Sequence, residues 1–293
     1  WGMNVNRRST PGKYIRTYLS AIPSAGASST TVKNIVNSTA TANIVGDVYH
    51  NNGGYFEFQN PNNVSSFTNP TSYMEVSNYS GLQDTSFTVS FWFKTYVSES
   101  DSREEPIITY TSEASNNNAT TNEYFSIAVG RDRDQTGNDE AVIRAGGNGS
   151  WGGLYGNGAN LTSDLNLTGD GYPLEHGKIK SNTWHRVDYV YNHTGNGSNG
   201  THALYIDGAA AGSANVKAGF NDTQYSLTDG GRLRIGANFG FGPTSMFGGD
   251  EPEETASGSD NYGYIGEIQI YSKVLSSTEI SKNYNATRAK YGV

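Results

Sequence analysis

Three segments in the last two-thirds of the chain constrain its fold more than anything else. Residues 87–94 read FTVSFWFK. Residues 184–191 read WHRVDYVY and are followed by LYIDG at 204–208. Residues 263–271 read GYIGEIQIY. In each, bulky apolar residues alternate with smaller or polar ones at a period of two, the pattern of strands that bury one face. Shorter stretches repeat the signal. They lie at 14–19, at 55–58 behind Gly53-Gly54 with Phe56 and Phe58 on one side, at 73–76, at 106–110, and around Leu233 and Ile235. Residues 124–129 and 141–144 read as a hairpin, and Asp207-Gly208 as a tight turn. In the 87–94 segment the alternation turns Phe87, Val89, Phe91 and Phe93 inward. The chain is therefore expected to be all-β. One helix is predicted, over 277–288, because Ser276 to Glu279 is a capping box and Ile280 and Tyr284 follow at helical spacing.

A length of 293 residues is enough to bury a large core without staples, so the absence of cysteine carries no penalty and leaves the redox compartment open. Glycine (36) and tyrosine (20), with abundant Asn, Ser and Thr, suit strands joined by many turns. Charged residues are only 16%, below the usual quarter, which favours an extracellular or particle-surface setting. No apolar run reaches the roughly 20 residues of a membrane span. The chain begins at Trp1 without a signal-peptide pattern, so a mature or trimmed product is expected. Its net charge of −8 is uneven: Arg7, Arg8, Lys13, Arg16 and Lys33 precede the first acid, Asp47. That charge is too dilute for a nucleic-acid partner. Residues 1–12 are read as a basic arm and 13–293 as one domain, with no repeat and no linker dividing it.

These segments, in this order, resemble the concanavalin A-like (laminin G-like) jelly-roll domains. The resemblance rests on FTVSFWFK, WHRV, LYIDG, LRIG at 233–236, GYIGEIQIY, and VLSSTEI at 274–280, and covers the chain from about Tyr14 onward. It implies an antiparallel two-sheet jelly-roll sandwich with one short C-terminal helix and an N-terminal arm, of the kind found in phage, viral and extracellular surface proteins. One departure is Gly266, where the family often has an Asp before the glutamate of the closing strand.

Catalytic chemistry finds little footing. A glucanase of this fold would need two carboxylates on one strand face, as in E-x-D-x-x-E, and no such string occurs. Glu267 is alone on its strand, and Asp188 sits between Arg186 and Val190. No G-x-S-x-G elbow and no phosphate loop is present. His185 reads as a strand residue rather than a base. Sugar recognition needs an aromatic ring against a pyranose face with amide groups on its hydroxyls. Trp151, Tyr155 and Asn157, in the Gly/Asn-rich stretch 145–172, have that composition and are the candidate glycan site. Asp250, Glu253 and Asp260 form an acidic loop and are the candidate calcium ligands. Twelve N-x-S/T sequons stand at Asn37, Asn63, Asn78, Asn118, Asn148, Asn160, Asn166, Asn192, Asn196, Asn199, Asn221 and Asn285. They are glycosylation candidates.

Two readings of function stand side by side. The leading one is a non-catalytic carbohydrate-recognition or adhesion module on an extracellular or virion surface. The alternative is a self-assembling, glycosylated subunit of an extracellular fibre or virion surface, a homo-oligomer whose arm docks on the next copy. A glycoside hydrolase ranks below both.

Overall fold

The computed structural model describes residues 15–21, 30–34, 36, 41–51, 53–60, 72–79, 86–94, 104–111, 124–131, 141–147, 176–180, 182–192, 201–215, 231–237 and 261–293. Sixteen strands and one α-helix are defined within them. The strands are β1 (Ile15–Leu19), β2 (Thr31–Lys33), β3 (Thr41–Val45), β4 (Val48–Asn51), β5 (Tyr55–Asn60), β6 (Tyr73–Tyr79), β7 (Ser86–Lys94) and β8 (Glu104–Thr111). They continue as β9 (Tyr124–Arg131), β10 (Ala141–Gly147), β11 (His176–Ile179), β12 (His185–Asn192), β13 (Thr201–Ile206), β14 (Ala209–Asn215), β15 (Gly231–Ile235) and β16 (Asn261–Tyr271). The helix α1 (Ser277–Thr287) and a 3-10 turn, Arg288–Tyr291, close the chain.

Two antiparallel sheets of eight strands form the sandwich. The first runs β14-β13-β12-β7-β16-β5-β4, with β1 paired beside the second half of β16; the second runs β11-β10-β9-β8-β15-β6-β3-β2. The core between them is supplied by the inward phase of each strand. Phe87, Val89, Phe91 and Phe93 of β7 meet Val187, Tyr189 and Tyr191 of β12, Phe56 and Phe58 of β5, and Ile108, Tyr110, Leu233 and Ile235 of the opposite sheet. Each such fully buried aromatic or aliphatic side chain stabilises the fold by about 1.5–3 kcal/mol. The predicted strands and hairpins are all present, and α1 carries the expected capping box: Ser276 Oγ accepts from the Glu279 N–H at 3.3 Å, and Glu279 Oε2 accepts from the Ser276 N–H at 2.9 Å. The short strands β4 and β11 carry no strong alternation and are added by pairing with β5 and β10.

In the central strands of the first sheet, the period-two pattern understates burial. The second phase of β7 and β12 is buried as well: Thr88, Ser90 and Trp92, and Arg186, Asp188 and Val190. Their cover is the C-terminal segment. Thr88 Oγ1 donates to the Lys273 carbonyl at 2.8 Å and accepts from the Leu275 N–H at 3.0 Å, holding the exit from β16 down on β7. Trp92 stacks on Tyr291 and Tyr284 at ring-centroid distances of 4.5 and 5.7 Å, and its indole N–H donates to Thr287 Oγ1 at 3.0 Å. The Asp207-Gly208 turn takes φ of +52° and +78°. Gly208 lies against Tyr284, so any Cβ there would come within 2.9–3.0 Å of that side chain. Gly266 has a similar cause: a Cβ on it would stand 2.7 Å from Cε1 and Cζ of the Tyr291 ring. A side chain of any kind at Gly266 would meet the closing tyrosine.

Beneath this cover lies a balanced group of charges. Arg186 donates through Nε to Asp188 Oδ2 at 3.1 Å and through Nη2 to Oδ1 at 3.0 Å, and Ser90 also donates to that carboxylate. Glu267 Oε2 accepts from the Tyr18 hydroxyl at 3.0 Å, with Lys290 Nζ 3.8 Å away; Glu267 Oε1 lies 4.0 Å from Arg186 Nη1. The Glu267 N–H donates to the Tyr291 hydroxyl at 2.9 Å. Burial works against the Arg186 charge, but Asp188, Tyr271 and Glu267 together outweigh it and hold the guanidinium protonated. Burial, and then Glu267, push the Tyr18 and Tyr291 hydroxyls well above the usual phenol range; burial does the same for Tyr271. Burial pulls Lys290 down, with Glu267 opposing.

Three outcomes follow from this layer. Asp188→Ala removes both carboxylate hydrogen bonds of Arg186 in a dry site, with only Glu267 Oε1 at 4.0 Å left beside it, and should cost about 3–5 kcal/mol in denaturant unfolding. Gly266→Ala should cost about 1–3 kcal/mol by overpacking against Tyr291. The third concerns alkaline pH. Tyr18, Tyr79, Tyr271 and Tyr291 have folded-state values raised above those of the unfolded chain. Their stabilisation is complete below about pH 10 and is lost as pH rises toward the folded values. Lys290, depressed, runs the other way but is one group against four. Melting temperature should fall steeply above about pH 10, and tyrosinate absorbance should rise with the unfolding transition rather than before it.

Candidate functional site

The outer face of the first sheet is only partly covered. Because Phe56 and Phe58 point into the core, Tyr55 and Glu57 of β5 point out. The same phase turns Lys94 of β7 and Tyr264 of β16 outward, and Trp184 stands immediately before β12. The register lines them up. His185 pairs with Phe93, Tyr264 with Lys94, and Tyr264 with Glu57. Trp184, Lys94, Tyr264 and Glu57 thus form a row across four neighbouring strands, β12, β7, β16 and β5. Tyr55 sits one outward position further along.

Three of these rings gather into a shelf and remain partly exposed. Tyr55 lies 5.3 Å from Trp184 and 5.3 Å, edge-on, from Tyr264; Trp184 and Tyr264 are 6.3 Å apart. Tyr291 of the C-terminal turn backs the shelf, 4.8 Å from Trp184. Lys94 Nζ rests 4.5 Å from the Tyr264 centroid, a cation–π contact worth about 0.5–1 kcal/mol at a partly exposed site. Such a surface offers apolar ring faces beside one amine and one carboxylate, the equipment for a ligand with both C–H patches and hydroxyls.

His185 steadies the shelf from below. Its Nδ1 donates to Asp207 Oδ2 at 2.8 Å, while Nε2 accepts from the Lys180 N–H at 3.0 Å. The second bond requires an unprotonated Nε2 and so sets the tautomer. Asp207 Oδ1 also accepts from the Arg186 N–H at 2.9 Å, so the ring ties the end of β11, the start of β12 and the 207–208 turn together. With both nitrogens engaged, His185 is the strand residue that its sequence position suggested. The carboxylates of Asp188 and Glu267 are brought to one side of the sheet, which sequence spacing did not reveal, but both are committed to the buried charge group and lie 0% and 3% exposed.

The residues singled out from sequence lie elsewhere. Trp151, Tyr155 and Asn157, and Asp250, Glu253 and Asp260, fall outside the described residues. So do nine of the twelve sequon asparagines. Of the others, Asn78 lies in β6, Asn192 is exposed at the end of β12, and Asn285 is exposed on α1. In that last sequon the Thr287 hydroxyl already donates to the Asn283 carbonyl at 2.8 Å. Among the described residues no group of three or more histidine, aspartate or glutamate side chains could hold a metal ion, and no helix is long and apolar enough to cross a membrane. The shelf itself was missed. Its signal was an aromatic on the outward phase of three strands, Tyr55, Trp184 and Tyr264, where a solvated face would carry polar residues.

Comparison with solved structures gives the same architecture. The binding domain of botulinum neurotoxin DC in complex with SialylT matches at 13% identity and TM-score 0.51, covering 94% of this chain and 52% of that one. The binding domain of botulinum neurotoxin serotype C1 matches at 14% and 0.51, covering 94% and 53%. That of Paraclostridial Mosquitocidal Protein 1 matches at 13% and 0.50, again covering 94% and 53%. The chain therefore spans about half the length of these neighbours, and the likeness is one of fold. No curated protein sequence matches the chain. The family model described as the concanavalin A-like lectin/glucanases superfamily, of laminin G type, matches residues 67–281, well over half of the 293. With the jelly-roll sandwich already in view, that match shows that the chain belongs to the concanavalin A-like lectin/glucanases superfamily.

Proposed function

We propose that this chain is a non-catalytic carbohydrate-recognition module working at an extracellular or particle surface. One observation carries the reading: the partly exposed shelf of Tyr55, Trp184 and Tyr264, assembled from three separate strands and flanked by Lys94 and Glu57. Rings left at the surface keep an apolar face in water, an arrangement that becomes favourable once a sugar's C–H face covers it. Two further facts support it. Asp188 and Glu267 are occupied by Arg186, Tyr18 and Lys290 beneath the C-terminal cover, which leaves no pair of facing carboxylates for glycoside hydrolysis among the described residues. The solved neighbours are themselves named as binding domains, one of them in complex with SialylT.

The Gly/Asn-rich stretch bearing Trp151, Tyr155 and Asn157 is a second contact in this proposal, since its composition meets the same chemical requirements. A glycan array probed with the wild-type chain, Trp184→Ala and Trp151→Ala tests both, with circular dichroism and melting as controls for folding. Trp184→Ala should weaken retention at least about tenfold, corresponding to about 1.4 kcal/mol, while the sandwich stays folded. Retention equal to wild type in a folded Trp184→Ala removes the shelf from the reading. Absence of any glycan bound by the wild-type chain overturns the function.

A further inference from the structure

Resting on that reading, we infer that the shelf is built for a neutral pyranose, stacked on Trp184 and Tyr55, with Lys94 as hydroxyl donor and Glu57 as hydroxyl acceptor. The ring faces of the shelf differ in how open they are. Lys94 Nζ lies over Tyr264 at 4.5 Å, so one face of that ring is already taken. Trp184 and Tyr55 are tilted against each other by 58° at 5.3 Å, are partly exposed, and carry no cation over their faces among the described residues. Lys94 borders this pair from the strand next to Trp184, and Glu57 borders it two residues along β5 from Tyr55. Lys94 and Glu57 both face Tyr264, from opposite sides. Two strand spacings separate their backbones, roughly 9–10 Å. That gap suits one sugar ring with a hydroxyl directed to each side.

Charge decides the class of sugar. The row holds one cation and one carboxylate. Lys290, the next amine toward the C-terminal turn, faces Glu267 at 3.8 Å and has its charge disfavoured by burial. No surplus positive charge is left on the row to neutralise a carboxylate or sulfate. The whole chain carries −8, which repels an anionic ligand at long range. A ligand with hydroxyls and no formal charge uses the amine and the carboxylate together, one as donor and one as acceptor. An acidic sugar would set its own anion against Glu57.

An array pairing galactose-, glucose- and mannose-terminated glycans with the same glycans capped by sialic acid or sulfate tests the inference. Wild type, Lys94→Met, Glu57→Gln and Trp184→Ala are compared, each checked by melting. Expected are stronger retention on the uncapped member of each pair, loss of about tenfold in either flank variant, and little response to added salt. Preference for the capped glycans, or flank variants that bind like wild type while Trp184→Ala fails, overturns the neutral-sugar inference and leaves the recognition module standing. If the wild-type chain retains neither class, the recognition reading itself has failed.

Discussion

Everything on the outer face of the first sheet depends on the C-terminal segment lying down over three buried charges, to which its own half-buried Lys290 adds a fourth. Two cations, Arg186 and Lys290, meet two anions, Asp188 and Glu267; the Tyr18 hydroxyl donates to Glu267 Oε2, and the Tyr291 hydroxyl accepts from the Glu267 N–H. Taking such a group from water is expensive, and its own attraction offsets the cost only when the geometry is complete. The cover is therefore part of the electrostatics, not a lid placed on a finished sandwich. It also explains a run of otherwise odd residues: a tryptophan, a serine and a threonine on what looks like the solvent phase of β7, and a glycine where the closing strand of the family often has a carboxylate.

The shelf is the margin of this cover. Where α1 and the turn after it end, the same face is only partly covered by the described residues, and its outward positions carry rings instead of small polar groups. Tyr291 belongs to both regions. It stacks on Trp92 in the buried layer, at 4.5 Å, and stands 4.8 Å from Trp184 at the edge of the shelf. Under the proposed function, stability and recognition thus share a residue, and a ligand on the shelf would rest beside this buried layer. A binding surface on rigid strands is better placed to keep its geometry than one carried on loops alone. The same layer bears on catalysis, since the carboxylates that come closest to a glucanase pair are the ones that neutralise it.

Much of the sandwich was legible from the chain, and the reason is local. Period-two alternation reports which residues of a strand face the core, so the sequence alone assigns the inward phase of Phe87 to Phe93 and of Phe56 and Phe58. Turn and cap chemistry are equally local, hence the Asp207-Gly208 turn and the box at Ser276 and Glu279. The alternation is silent about a second cover, so nothing in the pattern shows that Arg186 and Asp188 are both fully buried. Short strands without a strong pattern, such as β4 and β11, exist because a neighbour offers hydrogen bonds.

By itself, then, the chain determined its class: an all-β sandwich with one capped helix, because periodicity, turns and caps are properties of a few consecutive residues. The tertiary structure alone decided which residues meet. Tyr55, Trp184 and Tyr264 are more than 200 positions apart at the extremes, and only the strand order β12-β7-β16-β5, with its particular register, sets their rings side by side. Strand order is fixed by the competition of all pairings at once, and a register slip of one residue would turn the shelf into the core. No short stretch of sequence holds that information.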